Sequence, residues 1–200
     1  MRRALAALAT CWLLATCTAS QAPEAIRNRY DDWLHQGTHA EAVTAYREVL
    51  IAAHVGEVVP MPALLRTSRR WQLCLHDEFD VPPKALWPAI APTLRLVAEL
   101  RDAGLVDPAL ARSGYRRPDI NRCAGGAGGS RHLDNVAVDF DLPDRPDNIA
   151  RLCAYWRTHG PAKRMGLGFY SSTAIHIDTA GFRTWGDDHH RATSLCVRGV

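Results

Sequence analysis

Ser130-Arg131-His132-Leu133-Asp134-Asn135-Val136-Ala137-Val138-Asp139-Phe140 reads as a turn followed by a β-strand. Val136, Val138 and Phe140 alternate with Ala137, Asp139 and Asp141, which puts the two sets on opposite faces of the strand. Asp139 therefore sits inside an apolar run, where a carboxylate needs a counter-charge, and a cation supplies one. His132 precedes it by seven residues, and a turn through Asp134-Asn135 lets the two side chains converge. A second strand-like run, Ala174-Ile175-His176-Ile177-Asp178-Thr179, carries His176 and Asp178 on one face and Ile175 and Ile177 on the other. Two imidazoles and one carboxylate, with no thiolate, form the donor set of a catalytic zinc site that keeps one position for water. A water bound in such a site becomes a nucleophile near neutral pH, and the ion polarises a carbonyl.

Outward from these runs, residues 113–116 and 165–170 join 136–140 and 174–179 as short strands, separated by Gly, Asn, Asp and Pro clusters. Residues 146–159 lie between them as an amphipathic helix with Ile149, Leu152, Cys153 and Trp156 on one side. Upstream the texture is helical. Residues 21–70 carry Trp33, Val43, Tyr46, Val49, Leu50 and Ala53 at helical spacing, with Thr38 to Glu41 as a capping box and Pro60 and Pro62 as breaks. A further helix starts near Pro82-Pro83, runs through Leu86, Trp87, Ile90, Leu94, Val97 and Leu100, and stops at Gly104; Pro88 and Pro92 delay its start or kink it. The expected fold class is α+β: N-terminal helices over residues 21–105, then a small antiparallel sheet carrying the zinc site over 106–200.

The chain has 200 residues, 47% hydrophobic and 22% charged, which suits one domain with a helical annex. A net charge of +3 without a lysine or arginine run argues against nucleic acid as a partner. Residues 1–20 read as a signal peptide: Met1-Arg2-Arg3 is the basic start, and 4–15 is an uncharged apolar run too short to span a bilayer. Leu14-Ala15-Thr16-Cys17 resembles a lipobox, with Thr16 at a position usually taken by Gly, Ala or Ser. Lipid anchoring at Cys17 and cleavage after Ala19 or Ser20 are the two outcomes, and either sends the chain to the periplasm or cell envelope. Four cysteines remain: Cys74, Cys123, Cys153 and Cys196. In an oxidising compartment they make two disulfides with three possible pairings, of which Cys74–Cys123 with Cys153–Cys196 is the one favoured.

Ser130, His132, Asn135, Ala137 and Asp139 together resemble the first motif of the zinc D-alanyl-D-alanine peptidases, Ser-x-His-x-x-(Gly)-x-Ala-x-Asp, a family in the superfamily of lysostaphin and sonic hedgehog. Asn replaces Gly at a position of positive φ, which Asn tolerates best among non-glycine residues. Ser113-Gly114-Tyr115-Arg116 with Pro118 and Asn121 resembles the family's substrate-clamping segment. Gly166-Leu167-Gly168-Phe169-Tyr170, His176-Ile177-Asp178 and Arg183-Thr184-Trp185 resemble its closing segment.

The resemblance implies that His132, Asp139 and His176 hold Zn2+ and that Arg116 meets the substrate's terminal carboxylate or scissile carbonyl. It also implies that Ser130 and Tyr115 shape the pocket. Many members carry a carboxylate general base three residues before the last ligand, where this chain has Thr173. Asp178 is then either the substitute base or the group that orients an imidazole. The implied activity is cleavage of peptidoglycan stem peptides, as a D-Ala-D-Ala carboxypeptidase or a murein endopeptidase; the branch with His-x-Asp followed by Arg-x-Trp, which this sequence resembles best, includes murein endopeptidases. The competing reading is a non-catalytic, zinc-stabilised module that binds cell-wall peptides or a protein.

The remaining candidates read more plainly. His189-His190 after Asp187-Asp188 is a solvated turn, and His35, His39, His54, His76 and His159 have no partner spacing. Trp156 and Trp185 are candidates for either the cleft or the core. Residues 124–129 lack the context of a phosphate loop and read as a flexible loop beside His132.

Overall fold

The computed structural model describes residues 23–199, so the signal-peptide expectation and Cys17 lie outside the described residues. The helical half comes first. Helix α1 (Glu24–Leu34) buries Ile26, Tyr30 and Trp33, and α2 (His39–Ala52) buries Val43, Tyr46 and Leu50, each set spaced to fall on one face. Thr38 makes no side-chain cap, which corrects the capping-box expectation. His39 instead stacks on Trp33 with ring centroids 4.1 Å apart, and its Nδ1 lies 2.9 Å from the Trp33 carbonyl, tying α2 to the end of α1. A one-turn helix α3 (Met61–Leu64) follows Pro60.

The proline-rich stretch resolves as the prolines dictate. Lys84–Ile90, with Pro88 inside it, forms a tight 3-10 segment. Regular helix α4 (Ala91–Asp102) begins only there, with Pro92 in its first turn, where a missing N–H costs nothing. Helix α5 (Pro118–Cys123) is short, α6 (Asn148–Lys163) outruns its expected end at 159 and passes through Pro161, and α7 (Leu195–Arg198) closes the chain. Among the described residues no helix is long and apolar enough to cross a membrane.

Five strands form one sheet in the order β1-β2-β4-β3-β5: β1 (Ala111–Ser113), β2 (Ala137–Asp141), β3 (Gly166–Phe169), β4 (Ala174–Asp178) and β5 (Arg183–Trp185). The class is α+β, as expected, but the sheet is mixed rather than antiparallel: β5 runs parallel to β3. The chain reverses after β4 and lays β5 along the far side of β3 instead of beside β4. The first strand is also displaced from the expected 113–116, because beyond Ser113 the chain turns away to feed α5.

A single buried cluster runs from Ile26 through Leu94, Val138, Phe140 and Ile177 to Cys196, so the helices and the inner face of the sheet share one core. Both disulfides form with the favoured pairing, Cys74–Cys123 and Cys153–Cys196. The segment after α3 is fixed by charge: buried Glu78 takes Arg66 Nε at 3.0 Å and Arg29 Nε at 2.6 Å. This locks residues 66–79, of which 68–70 become one wall of the cleft described next.

Candidate metal centre and cleft

Register builds the centre. In the β2–β4 ladder Asp139 stands directly opposite His176, so strand alternation places both side chains on the same face as cross-strand neighbours. His132 arrives from the turn before β2. Asn135 takes φ +53° there, as the motif requires, and its side chain donates to the Leu86 carbonyl at 2.9 Å, anchoring the turn to the helical half. The His132 carbonyl accepts the Arg116 N–H at 3.1 Å, so the turn is held from the other side too.

Three donor atoms meet. His132 Nε2 lies 3.0 Å from Asp139 Oδ1, His176 Nδ1 lies 3.0 Å from the same oxygen, and the two nitrogens are 3.1 Å apart. The outer ring nitrogens assign the tautomers. His132 Nδ1 is 2.6 Å from the Gly114 carbonyl, an acceptor only, so it carries the proton. His176 Nε2 is 3.0 Å from the Asp178 carboxylate and is the protonated nitrogen of that ring. Two imidazole lone pairs and a carboxylate oxygen therefore converge with no hydrogen between them, an arrangement that is repulsive without a cation. A triangle with edges near 3 Å leaves a point about 2.0–2.1 Å from all three atoms, the reach of zinc to nitrogen and oxygen. The donor set fits a metal ion.

The electrostatics agree. Burial works against the Asp139 carboxylate, but His132 and His176 hold it well below the usual range. Burial pushes His132 down. It opposes charge on His176 as well, yet the Asp139 and Asp178 carboxylates beside its two ring nitrogens raise that group.

Supporting groups follow. Asp178 is fully buried on the His176 nitrogen that faces away from Asp139, and Arg183 Nη2 donates to it at 2.6 Å. Glycines make room: a Cβ on Gly166 would fall 2.4 Å from the Asp178 carboxylate, and one on Gly168 would fall 2.4 Å from the Trp185 ring. Trp185 in turn lies against His176, ring centroids 5.2 Å apart. Arg116 is buried and firmly held, its Nη2 donating to Ser113 Oγ at 2.8 Å and reaching Asp139 Oδ2 at 3.3 Å, its Nε donating to the Thr67 carbonyl at 3.1 Å.

Asp139 and His176 line a cleft of about 540 Å³, walled by residues 68–70, the glycine-rich loop after α5 and the segment after β5, whereas His132 is buried and does not line it. Of the residues singled out in the sequence, Arg116, Ser130, Asp139, His176 and Trp185 line it. Tyr115 does not; it is buried, and burial and the nearby Asp80 raise its phenol. Trp156 belongs to the core, stacked on Phe182 at 4.6 Å. Thr173 is exposed in the β3–β4 turn. His189 lines the cleft, unlike His190, which bonds to Asp188.

Tyr170 and Asp187 also line the cleft, a placement the sequence reading did not assign them. The Tyr170 hydroxyl lies 3.3 Å from Asp139 Oδ1 and 3.4 Å from His176 Nδ1. Its position one residue beyond the Gly-Leu-Gly-Phe strand was the available signal. Asp187 was read with Asp188, His189 and His190 as a solvated turn, and the structure places it, with His189, in the cleft lining.

An α+β protein in which two imidazoles and a carboxylate converge beside a cleft is built like a metal-dependent hydrolase. The model of the Peptidase M15 family matches residues 66–178, more than half of the chain and inclusive of the whole cluster, and the chain belongs to that family. No curated protein and no solved structure matches it.

Proposed function

We propose that the chain is a zinc-dependent peptidase of peptidoglycan stem peptides, either a D-Ala-D-Ala carboxypeptidase or a murein endopeptidase. The observation that carries it is the convergence of His132 Nε2, Asp139 Oδ1 and His176 Nδ1 within the region matched to the peptidase family. These three residues would hold the ion, which supplies Lewis acidity toward a carbonyl and toward water. Asp178 keeps His176 in the tautomer that turns Nδ1 inward, and Arg183 holds Asp178. Arg116 and Tyr170 are the donors for the substrate's carbonyl oxygen or terminal carboxylate. Asp187 and His189, which line the cleft outside the cluster, are candidates to accept a proton from the attacking water.

Export to the periplasm or cell envelope, with or without a lipid at Cys17, is part of the proposal; the two disulfides support an oxidising compartment. A non-catalytic binding module is the competing reading, favoured by Thr173 and by the placement of Asp178 behind the imidazole. Purified protein incubated with muropeptides, with and without a chelator, separates them. Chelator-sensitive loss of a terminal D-alanine or opening of a cross-link supports the peptidase; muropeptides bound by the zinc-loaded protein yet left intact would overturn it.

A further inference from the structure

We propose that the cleft binds a peptide bearing a second carboxylate, apart from the bond at the buried cluster, and that Arg70 and Arg191 recognise it. The proposal rests on the peptidase reading only in taking the ligand to be a peptide.

Six arginines line the cleft: Arg69, Arg70, Arg116, Arg131, Arg183 and Arg191. Two carboxylates, Asp139 and Asp187, share it, and Asp134, Asp141 and Asp178 pair with lining arginines, which leaves a formal local balance of +1 with histidines neutral. The excess positive charge of this cleft therefore rests on the arginines that have no carboxylate partner, and low-dielectric walls focus their field on an incoming anion.

Four of these arginines are already engaged. Arg69 pairs with Asp141, Arg116 with Asp139 at 3.3 Å, Arg131 with Asp134 at 3.4 Å and Arg183 with Asp178 at 2.6 Å. Arg70 and Arg191 are different. Both are exposed, and neither guanidinium makes an ion pair or a side-chain hydrogen bond among the described residues. Asp187, in the same cleft, pairs with neither.

Their backbones, by contrast, are fixed. The Arg70 N–H donates to Ser68 Oγ at 3.1 Å, and the Arg70 carbonyl accepts the N–H of Cys74, which is disulfide-bonded to Cys123. Arg191 opens the 3-10 turn Arg191–Thr193, whose Thr193 hydroxyl bonds back to the His190 carbonyl at 2.8 Å. Two anchored arginines with free planar forks, brought from distant parts of the chain to one cleft, suit bidentate capture of a carboxylate. A neutral peptide would leave both unanswered.

The test uses pentapeptides ending in D-alanyl-D-alanine, with glutamate placed in turn at each of the three preceding positions, and glutamine counterparts. Binding is measured calorimetrically on the zinc-loaded protein at low and high salt, with cleavage followed in parallel. At one position glutamate should bind at least about tenfold more tightly than glutamine, the scale of one charge-assisted hydrogen bond, and the preference should shrink with salt. The R70Q/R191Q variant, altered only at exposed side chains, should lose it. Equal binding of every pair, or a preference that survives in R70Q/R191Q, would overturn the proposal. Preferential binding without cleavage would leave it standing and count against the peptidase reading alone.

Discussion

At the scale of single residues, Asp178 is the group whose role is most exposed to test. Its carboxylate accepts the His176 Nε2–H at 3.0 Å and takes two hydrogen bonds from Arg183, at 3.0 and 2.6 Å. Burial favours its neutral form, but His176 and Arg183 keep it below the usual carboxylate range, so it stays charged where the ring needs it. Asp178→Asn keeps the shape and removes the charge. Zinc affinity should fall about 10–100-fold, as it does when such outer partners are lost, and competition with a chromophoric chelator measures it. Unchanged affinity would remove Asp178 from this role.

Asn135 offers a second residue-level test. Its φ of +53° was legible from the motif; its bonds to the Leu86 carbonyl and Tyr46 hydroxyl were not, because those partners lie 49 and 89 residues away. Stability should rank wild type above Asn135→Gly above Asn135→Ala in urea unfolding. Gly loses only the bonds, whereas Ala adds about 1–2 kcal/mol of left-handed strain. Ala equal to Gly would deny that the backbone conformation matters there.

At the scale of elements, β2 and β4 were readable because each alternates buried apolar residues with the cluster's polar ones. β5 was not, since three residues carry no period and its pairing with β3 is a tertiary choice. The two disulfides make a matched pair for experiment. They close similar loops, with sequence separations of 49 and 43, so the chain-entropy model gives each about 4 kcal/mol. Their surroundings differ. Cys74–Cys123 joins the segment after residues 68–70 to the end of α5, where the glycine-rich cleft loop begins, whereas Cys153–Cys196 ties α6 to α7. The double Cys→Ser variants should therefore lose comparable stability by denaturant titration, but only the Cys74/Cys123 variant should also weaken peptide binding in conditions where both remain folded. Equal binding by the two variants would show that the staple does not shape the cleft.

At the scale of the whole molecule, an ion held by the cluster would act as a cross-link. Asp139 on β2, His176 on β4 and His132 on a turn anchored to the helical half through Asn135 all point at one place. The unfolded chain does not bring them together, so an ion bound there stabilises the native state alone. At a free concentration a thousand times its dissociation constant, that stabilisation is about 4 kcal/mol. For a chain of this size each kilocalorie moves the midpoint by about 2–4 °C, so a strong chelator should lower Tm by about 10 °C, and stoichiometric zinc should restore it. Acid should mimic the chelator, because the His132 and His176 nitrogens must be unprotonated to hold an ion; the zinc-dependent part of Tm should shrink as pH falls and return as it rises. Scanning fluorimetry across pH, with chelator, with zinc and with Asp139→Asn, reads all of this at once. A Tm indifferent to chelator, or a zinc-dependent shift retained in Asp139→Asn, would mean that the three converging side chains do not bind the ion that their geometry fits.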